Sequence, residues 1–381
     1  MSDVVAPKYL DQGAQESDSA ASRSGGGRDI DLLLRRVVKM GGSDLHLAVG
    51  SSPAVRVHGE LRRLVEYEEL TQLSICDLVE PMLSASQLDN FMASKELDMA
   101  YSIDDLGRFR VNVMMQRGSV GAVMRVVPHE VRSLELLGMP EVVASFAELP
   151  RGLVLVTGPT GSGKSTTLAS LVDIINRTKP VHIVTVEDPI EFLHQHKMAV
   201  VNQREVGTDT ESFSAALKRV LRQDPDVILV GEMRDLETVS TAITAAETGH
   251  LVFATLHTQD AAQTVDRIID VFPPAQQQQV RMQLASSLQA IVTQQLVPTA
   301  TKKGRVVACE VLVATSAIRN LIREGKTHQI VNAMQAGGQF GMMTMDAHLA
   351  ELTNRGVITS AVALERSSHP EDLRRMIRVA A

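Results

Sequence analysis

The stretch Gly158-Pro159-Thr160-Gly161-Ser162-Gly163-Lys164-Ser165, continued by Thr166, decides how this chain is read. It is a complete G-x-x-x-x-G-K-[ST] pattern. An apolar run, Leu153-Val154-Leu155-Val156, precedes it and predicts a buried parallel strand, and residues 166–175 predict a helix behind it. A loop between a strand and a helix N-terminus is where this pattern cradles a polyphosphate. Its glycines let backbone N–H groups turn inward, because no Cβ blocks the approach. The helix N-terminus adds unpaired donors and a partial positive charge. Lys164 has the reach for β- and γ-phosphates, and the Ser165 hydroxyl suits Mg²⁺. Residues 158–166 are therefore expected to hold a nucleoside triphosphate with its metal.

Outward from the loop, apolar runs at 153–157, 182–187, 227–230 and 251–256 alternate with helical stretches at 166–175, 212–222 and 236–248. Strands without polar alternation fit a parallel sheet covered on both faces. Ligands of such sheets bind beyond the carboxyl ends of the strands. Three clusters fall at or near strand ends. The first is Thr185-Val186-Glu187-Asp188-Pro189-Ile190-Glu191, with three carboxylates in five residues. Such crowding beside an apolar strand is costly unless a cation or polarised water shares the site, so Glu187 is a candidate catalytic acid or base and Glu191 a candidate metal ligand. The second is Val227-Ile228-Leu229-Val230-Gly231-Glu232, where Glu232 is expected to orient or deprotonate water and to help hold Mg²⁺. The third, Thr248 to Thr258, brackets a strand with two histidines. His250 is expected to touch nucleotide and His257 to donate a hydrogen bond to the γ-phosphate.

No arginine is directed at this site from the surrounding pattern. Transition-state charge in phosphoryl transfer is often met by an arginine of a neighbouring subunit. Arg108, Arg110 and Arg125, on predicted strands of the N-terminal half with Arg117 between them, are the candidates. That half reads as a small α+β domain over 29–127. A Ser-, Ala- and Gly-rich tail at 1–28 precedes it, expected to be disordered. A linker is expected at 128–140, a nucleotide-binding core over 141–300 and a helical region over 301–381. Beyond Pro273-Pro274 the pattern is helical over 276–295, 316–323, 328–335 and 344–355. Within 317–326, Ile318, Leu321 and Ile322 share one helical face, leaving Arg319, Arg323 and Lys326 to point outward.

The 381 residues carry a net charge of −7, with no Trp and three Tyr. That balance argues against a nucleic-acid partner, because neither an electrostatic footprint nor stacking platforms are present. Two cysteines far apart, Cys76 and Cys309, read as reduced buried thiols. No run is long enough to span a membrane and no signal-peptide pattern opens the chain, so it is expected in the cytoplasm without direct membrane insertion.

Taken in order, GPTGSGKST (158–166), VTVEDPIEF (184–192), DPDVILVGEMRD (224–235) and TGHLVFATLHT (248–258) resemble the Walker A, Asp box, Walker B and His box of the secretion ATPase superfamily. Within it, the chain is similar to the retraction ATPases of type IV pili over roughly residues 29–370. The stretch AIRNLIREGK (317–326) matches their C-terminal signature, which serves retraction but not hydrolysis. The resemblance implies an α/β protein with a PAS-like N-terminal domain followed by a RecA-like ATPase domain. It implies a homohexamer that hydrolyses ATP with Mg²⁺, with the nucleotide between the two domains and Arg108, Arg110 and Arg125 completing the site. It implies work at the cytoplasmic face of the inner membrane on a PilC-like platform protein, alongside a PilU-like ATPase. An accessory retraction ATPase is the nearest alternative. Pilus-assembly and type II secretion ATPases usually carry a four-thiolate zinc module, which two isolated cysteines do not build. A RecA-type nucleic-acid motor and a purely structural nucleotide-binding ring are the remaining alternatives.

Overall fold

In the computed structural model, residues 29–57, 59–127 and 131–377 are described. The tail expected at 1–28 and the first residues of the expected linker lie outside them. The chain divides into two compact units, the first ending at His129 and the second beginning at Glu130.

The first unit opens with a helix, Asp29–Lys39, whose stripe of Ile30, Leu33, Leu34 and Val37 is buried. Its strands are β1 (Gly42–Leu47), β2 (Ala54–Val57), β3 (Glu60–Arg63), β4 (Glu96–Ile103), β5 (Gly107–Gln116) and β6 (Ser119–Val127). They form one sheet in the order β3-β2-β1-β6-β5-β4, antiparallel throughout. Period-two alternation explains it: Phe109, Val111 and Val113 of β5 and Ala122 and Met124 of β6 are buried in the core with the opening helix. The alternate residues Arg108, Arg110 and Arg125 fall on the other face.

The second unit contains β7 (Gly152–Thr157), β8 (His182–Glu187), β9 (Val200–Glu205), β10 (Val227–Val230), β11 (Leu251–Leu256), β12 (Leu288–Pro298) and β13 (Arg305–Val313). The sheet order is β13-β12-β7-β11-β10-β8-β9. Every neighbouring pair is parallel except the edge pair β12 and β13. β7, β10 and β11 are buried along their whole lengths, as a sheet covered on both faces requires. Helices Lys164–Thr178, Phe213–Val220, Leu236–Glu247 and Ala261–Asp270 supply the covering layers.

Three readings of the sequence are corrected. The helix expected over 276–295 stops at Ser287, and Leu288–Pro298 is strand β12. Val280, Leu284 and Leu288 keep a helical spacing across the junction, but from Leu288 onward the chain is buried on both faces and the helical period loses its meaning. The region expected to be helical from 301 opens with β13, whose Val306–Val313 run pairs with β12. The described part of the expected linker is packed: Leu134 and Met139 are buried in the core of the second unit.

Candidate nucleotide-hydrolysis site

Strand register assembles the site. Thr157 is opposite Leu256, Val230 is opposite both Ala254 and Val186, and all four strands run in one direction. Their carboxyl ends therefore deliver the loop after Thr157, Glu187, Glu232 and His257 to one edge of the sheet. Gly231 makes the crowding feasible, since a Cβ there would lie 3.2 Å from Glu187 Cα.

The loop has the form that a polyphosphate requires. Gly158, Gly161 and Gly163 all have positive φ, at 134°, 77° and 91°, a backbone region that side chains disfavour. A Cβ on Gly158 would strike the Gln294 carbonyl at 2.2 Å, whereas Gly161 faces open space. The helix Lys164–Thr178 starts at the loop's end, so its first N–H groups point where an anion sits. Lys164 is buried and its Nζ donates to the carbonyls of Gly158 at 2.9 Å and Pro159 at 3.2 Å. Burial lowers its pKa, while the carboxylates of Glu232 and Glu191 act in the opposite sense. Both acids are thus within electrostatic reach of the loop lysine. Ser165, half-buried, occupies the first turn of the helix. A hydroxyl at this position with two carboxylates nearby is a donor set suited to a hard, oxygen-loving cation such as Mg²⁺. Among the described residues no three acids, histidines or cysteines form a ready-made metal cluster.

Glu232 Oε1 accepts from His257 Nε2 at 3.1 Å and from Arg234 Nε at 2.6 Å. Burial would raise the Glu232 pKa, but Arg234 and His257 outweigh it and hold the carboxyl below the usual range. Glu187 is the opposite case. Burial pushes its pKa up, against hydrogen bonds from the Thr185 hydroxyl at 2.6 Å and the Gln203 amide at 3.1 Å. Glu191 is exposed on the loop after β8.

His250 does not join this group. It precedes β11 next to Gly152, at the amino end of the sheet, about 20 Å of strand from His257. Its Nδ1 lies 3.0 Å from the Ala245 carbonyl, at the end of the helix Leu236–Glu247, so its local role is to cap that helix. The three arginines belong to the first unit. Asp44, Arg125 and Arg110 are direct cross-strand partners on β1, β6 and β5, and Arg125 Nε donates to buried Asp44 at 2.7 Å.

Two residues escaped the sequence reading. Arg234 was visible only as part of the Walker B stretch, and nothing marked it as a partner of Glu232. Gln294 gave no signal at all, because its segment reads as helix. In the signature helix Ser316–Arg323, Ile318 and Ile322 are buried as expected, but Arg319 is not an outward cation. It donates to the carbonyls of Ala285 at 2.7 Å and Ser286 at 2.8 Å and to Gln289 Oε1 at 3.1 Å. Arg323 is exposed.

A phosphate loop at a parallel sheet's carboxyl edge, with an ionised glutamate and a histidine beside it, defines a nucleoside-triphosphate hydrolase of the P-loop class. Residues 26–376 match the family model of type II/IV secretion system proteins, and the chain belongs to that family. It is 49% identical over 347 residues to the type IV pilus retraction ATPase PilT of Pseudomonas aeruginosa, covering 90% of this chain and 99% of the relative. A twitching motility protein of Neisseria gonorrhoeae is 48% identical over 84% of this chain and 86% of its own length. The type IV pilus ATPase PilU of P. aeruginosa is 42% identical over 92% of each. A crystal structure of the pilus retraction motor PilT with bound ADP superposes with a TM-score of 0.85 at 46% identity, covering 92% of this chain and all of that one. The expected fold class, an α+β domain followed by a P-loop ATPase domain, is the one found.

Proposed function

We propose that this chain is a motor ATPase that hydrolyses ATP to drive type IV pilus retraction. The convergence of Lys164, Glu232 and His257 at one sheet edge carries the chemistry. Lys164 leaves the loop carbonyls to meet the β- and γ-phosphates. Glu232, ionised across the physiological range, orients the attacking water and accepts its proton. His257, hydrogen-bonded to Glu232 in this state, redirects its N–H to the γ-phosphate and so links its presence to the state of the base. Mg²⁺, held through Ser165 and Glu232 with Glu191 nearby, would neutralise charge on the phosphates. Arg108, Arg110 and Arg125 complete the site of a neighbouring subunit in a ring of six.

The direction of the motor rests on kinship. Near-full-length identity with a retraction ATPase and a twitching motility protein, together with the 317–326 signature, supports retraction over assembly. Cys76 and Cys309 are both free and buried, one in each unit, which does not suit a tetrathiolate zinc module. Among the described residues no helix is long and apolar enough to cross a membrane, which fits a motor that works on the cytoplasmic face of the inner membrane through a PilC-like platform protein. The PilU match, slightly longer but lower in identity, supports a second reading as an accessory motor acting with a partner ATPase. Phosphate release from ATP by the purified protein tests the chemistry: the wild type turns over with Mg²⁺ and Lys164→Ala does not. Turnover that survives Lys164→Ala would refute it.

A further inference from the structure

The wall behind the phosphate-binding loop is β12, and one side chain on it reaches the loop directly. The paired register of β12 with β7 ends at Thr293 opposite Thr157, where the two hydroxyls lie 2.8 Å apart. Gln294 follows, beside the first loop residue. It is 1% exposed. Its Nε2 donates to the Ser162 carbonyl at 2.8 Å, in the middle of the loop. Its own backbone carbonyl is the atom that a Cβ on Gly158 would strike, and its Nε2 would lie 3.2 Å from a Cβ on Gly163. All three contacts bear on the loop's turn positions. The amide orientation follows from chemistry, since a carbonyl oxygen facing the Ser162 carbonyl would be repelled. Among the described residues, the buried Oε1 atom of Gln294 and the buried hydroxyl of Ser162 have no hydrogen-bond partner, so the Ser162 bond is what this side chain contributes.

We propose that Gln294 is a positioning residue for nucleotide binding. Its amide pins the Ser162 carbonyl away from the anion, which leaves the loop's N–H groups turned toward the phosphates. A peptide plane has two ends: if the carbonyl of residue 162 swings inward, the N–H of Gly163 swings out and one phosphate donor becomes an acceptor. The role is distinct from that of Lys164, because Gln294 need not touch the nucleotide. It rests on the nucleotide-binding reading of the loop.

Calorimetric titration of the full-length protein with ADP and Mg²⁺, from about pH 6 to about pH 9, tests it. Gln294→Met keeps volume but removes the donor, and should bind ADP about tenfold more weakly at every pH, because a buried carbonyl loses its partner. Gln294→Glu should approach wild type at the acid end, where a protonated carboxyl donates to Ser162. It should weaken by about tenfold or more at the alkaline end, where two acceptors face a third. Thr293→Val breaks the neighbouring hydroxyl pair but spares the amide, and should leave ADP affinity unchanged. If Gln294→Met does not fold, the pH profile of Gln294→Glu carries the test. Wild-type affinity in both Gln294 variants overturns the positioning role alone. Equal, pH-independent weakening in all three variants also overturns it, by assigning the effect to strand packing. Failure of the wild type to bind ADP would remove the nucleotide-binding reading and the proposal with it.

Discussion

The Glu232 carboxylate and the His257 imidazole, one from the turn after β10 and one from the end of β11, meet at 3.1 Å. Parallel register between the two strands fixes this meeting, since Val230 is opposite Ala254. Two motifs separate in sequence thereby meet through one hydrogen bond, between the residues proposed as base and as phosphate sensor.

Glu232→Gln should keep ADP and ATP affinity near wild type while turnover falls by about 100-fold or more, because an amide does not take a proton from water. Steady-state phosphate release alongside nucleotide titration separates the two. Near-normal turnover would move the base assignment to Glu187, whose raised pKa also suits that task.

The acid limb of the pH–rate profile should report Glu232. Burial alone would raise its pKa, and Arg234 and His257 outweigh burial to lower it. A depressed value keeps the carboxylate ionised, and activity present, until the pH falls below the ordinary glutamate range. Arg234→Ala removes part of the opposition to burial, so the acid limb should shift toward higher pH with the alkaline plateau retained. An unmoved limb would show that the limb belongs to another group.

The two arginines of the signature helix should separate. Arg319 satisfies the carbonyls of Ala285 and Ser286 at the end of the helix Pro274–Ser287. Arg319→Glu should therefore cost about 1–3 kcal/mol in stability and impair turnover through β12. Arg323→Glu, on the exposed side, should leave the melting temperature and ATPase rate intact while twitching is lost. Loss of turnover in step with motility for Arg323→Glu would place this face in the catalytic or assembly machinery.

Mixing tests the arginines across a subunit boundary. Lys164→Ala rings and Arg110→Ala rings should each be inactive, and co-assembled rings should recover part of the wild-type rate because some sites are complete. The same is expected for Arg108→Ala and Arg125→Ala. Mixed rings that form without any recovery would refute action in trans.

How far the sequence could be read depended on what kind of signal each feature left. The phosphate loop, β7, β10 and β11 were legible because a glycine pattern or a bare apolar run has one physical interpretation. β12 was not, because a strand buried on both faces that follows a helix shows no change of period at Leu288. Gln294 was hidden with it. His250 precedes β11 and His257 follows it, so residue order in a parallel sheet already sets them at opposite edges; closeness in sequence to the His257 cluster was the misleading signal. Arg319 looked outward from helical spacing alone; its target, the end of another helix, is a tertiary contact that no local pattern encodes.

If ATP hydrolysis at this site withdraws pili, losing it leaves a signature on the cell surface. The most direct measurement is to delete the gene, restore either the wild type or Glu232→Gln, and score surface pili together with twitching in the same cells. The deletion and the Glu232→Gln strain should carry more surface pili than the wild type and should not twitch, and wild-type restoration should reverse both. Cells that lose their pili on deletion would contradict retraction, because the motor would then be building them.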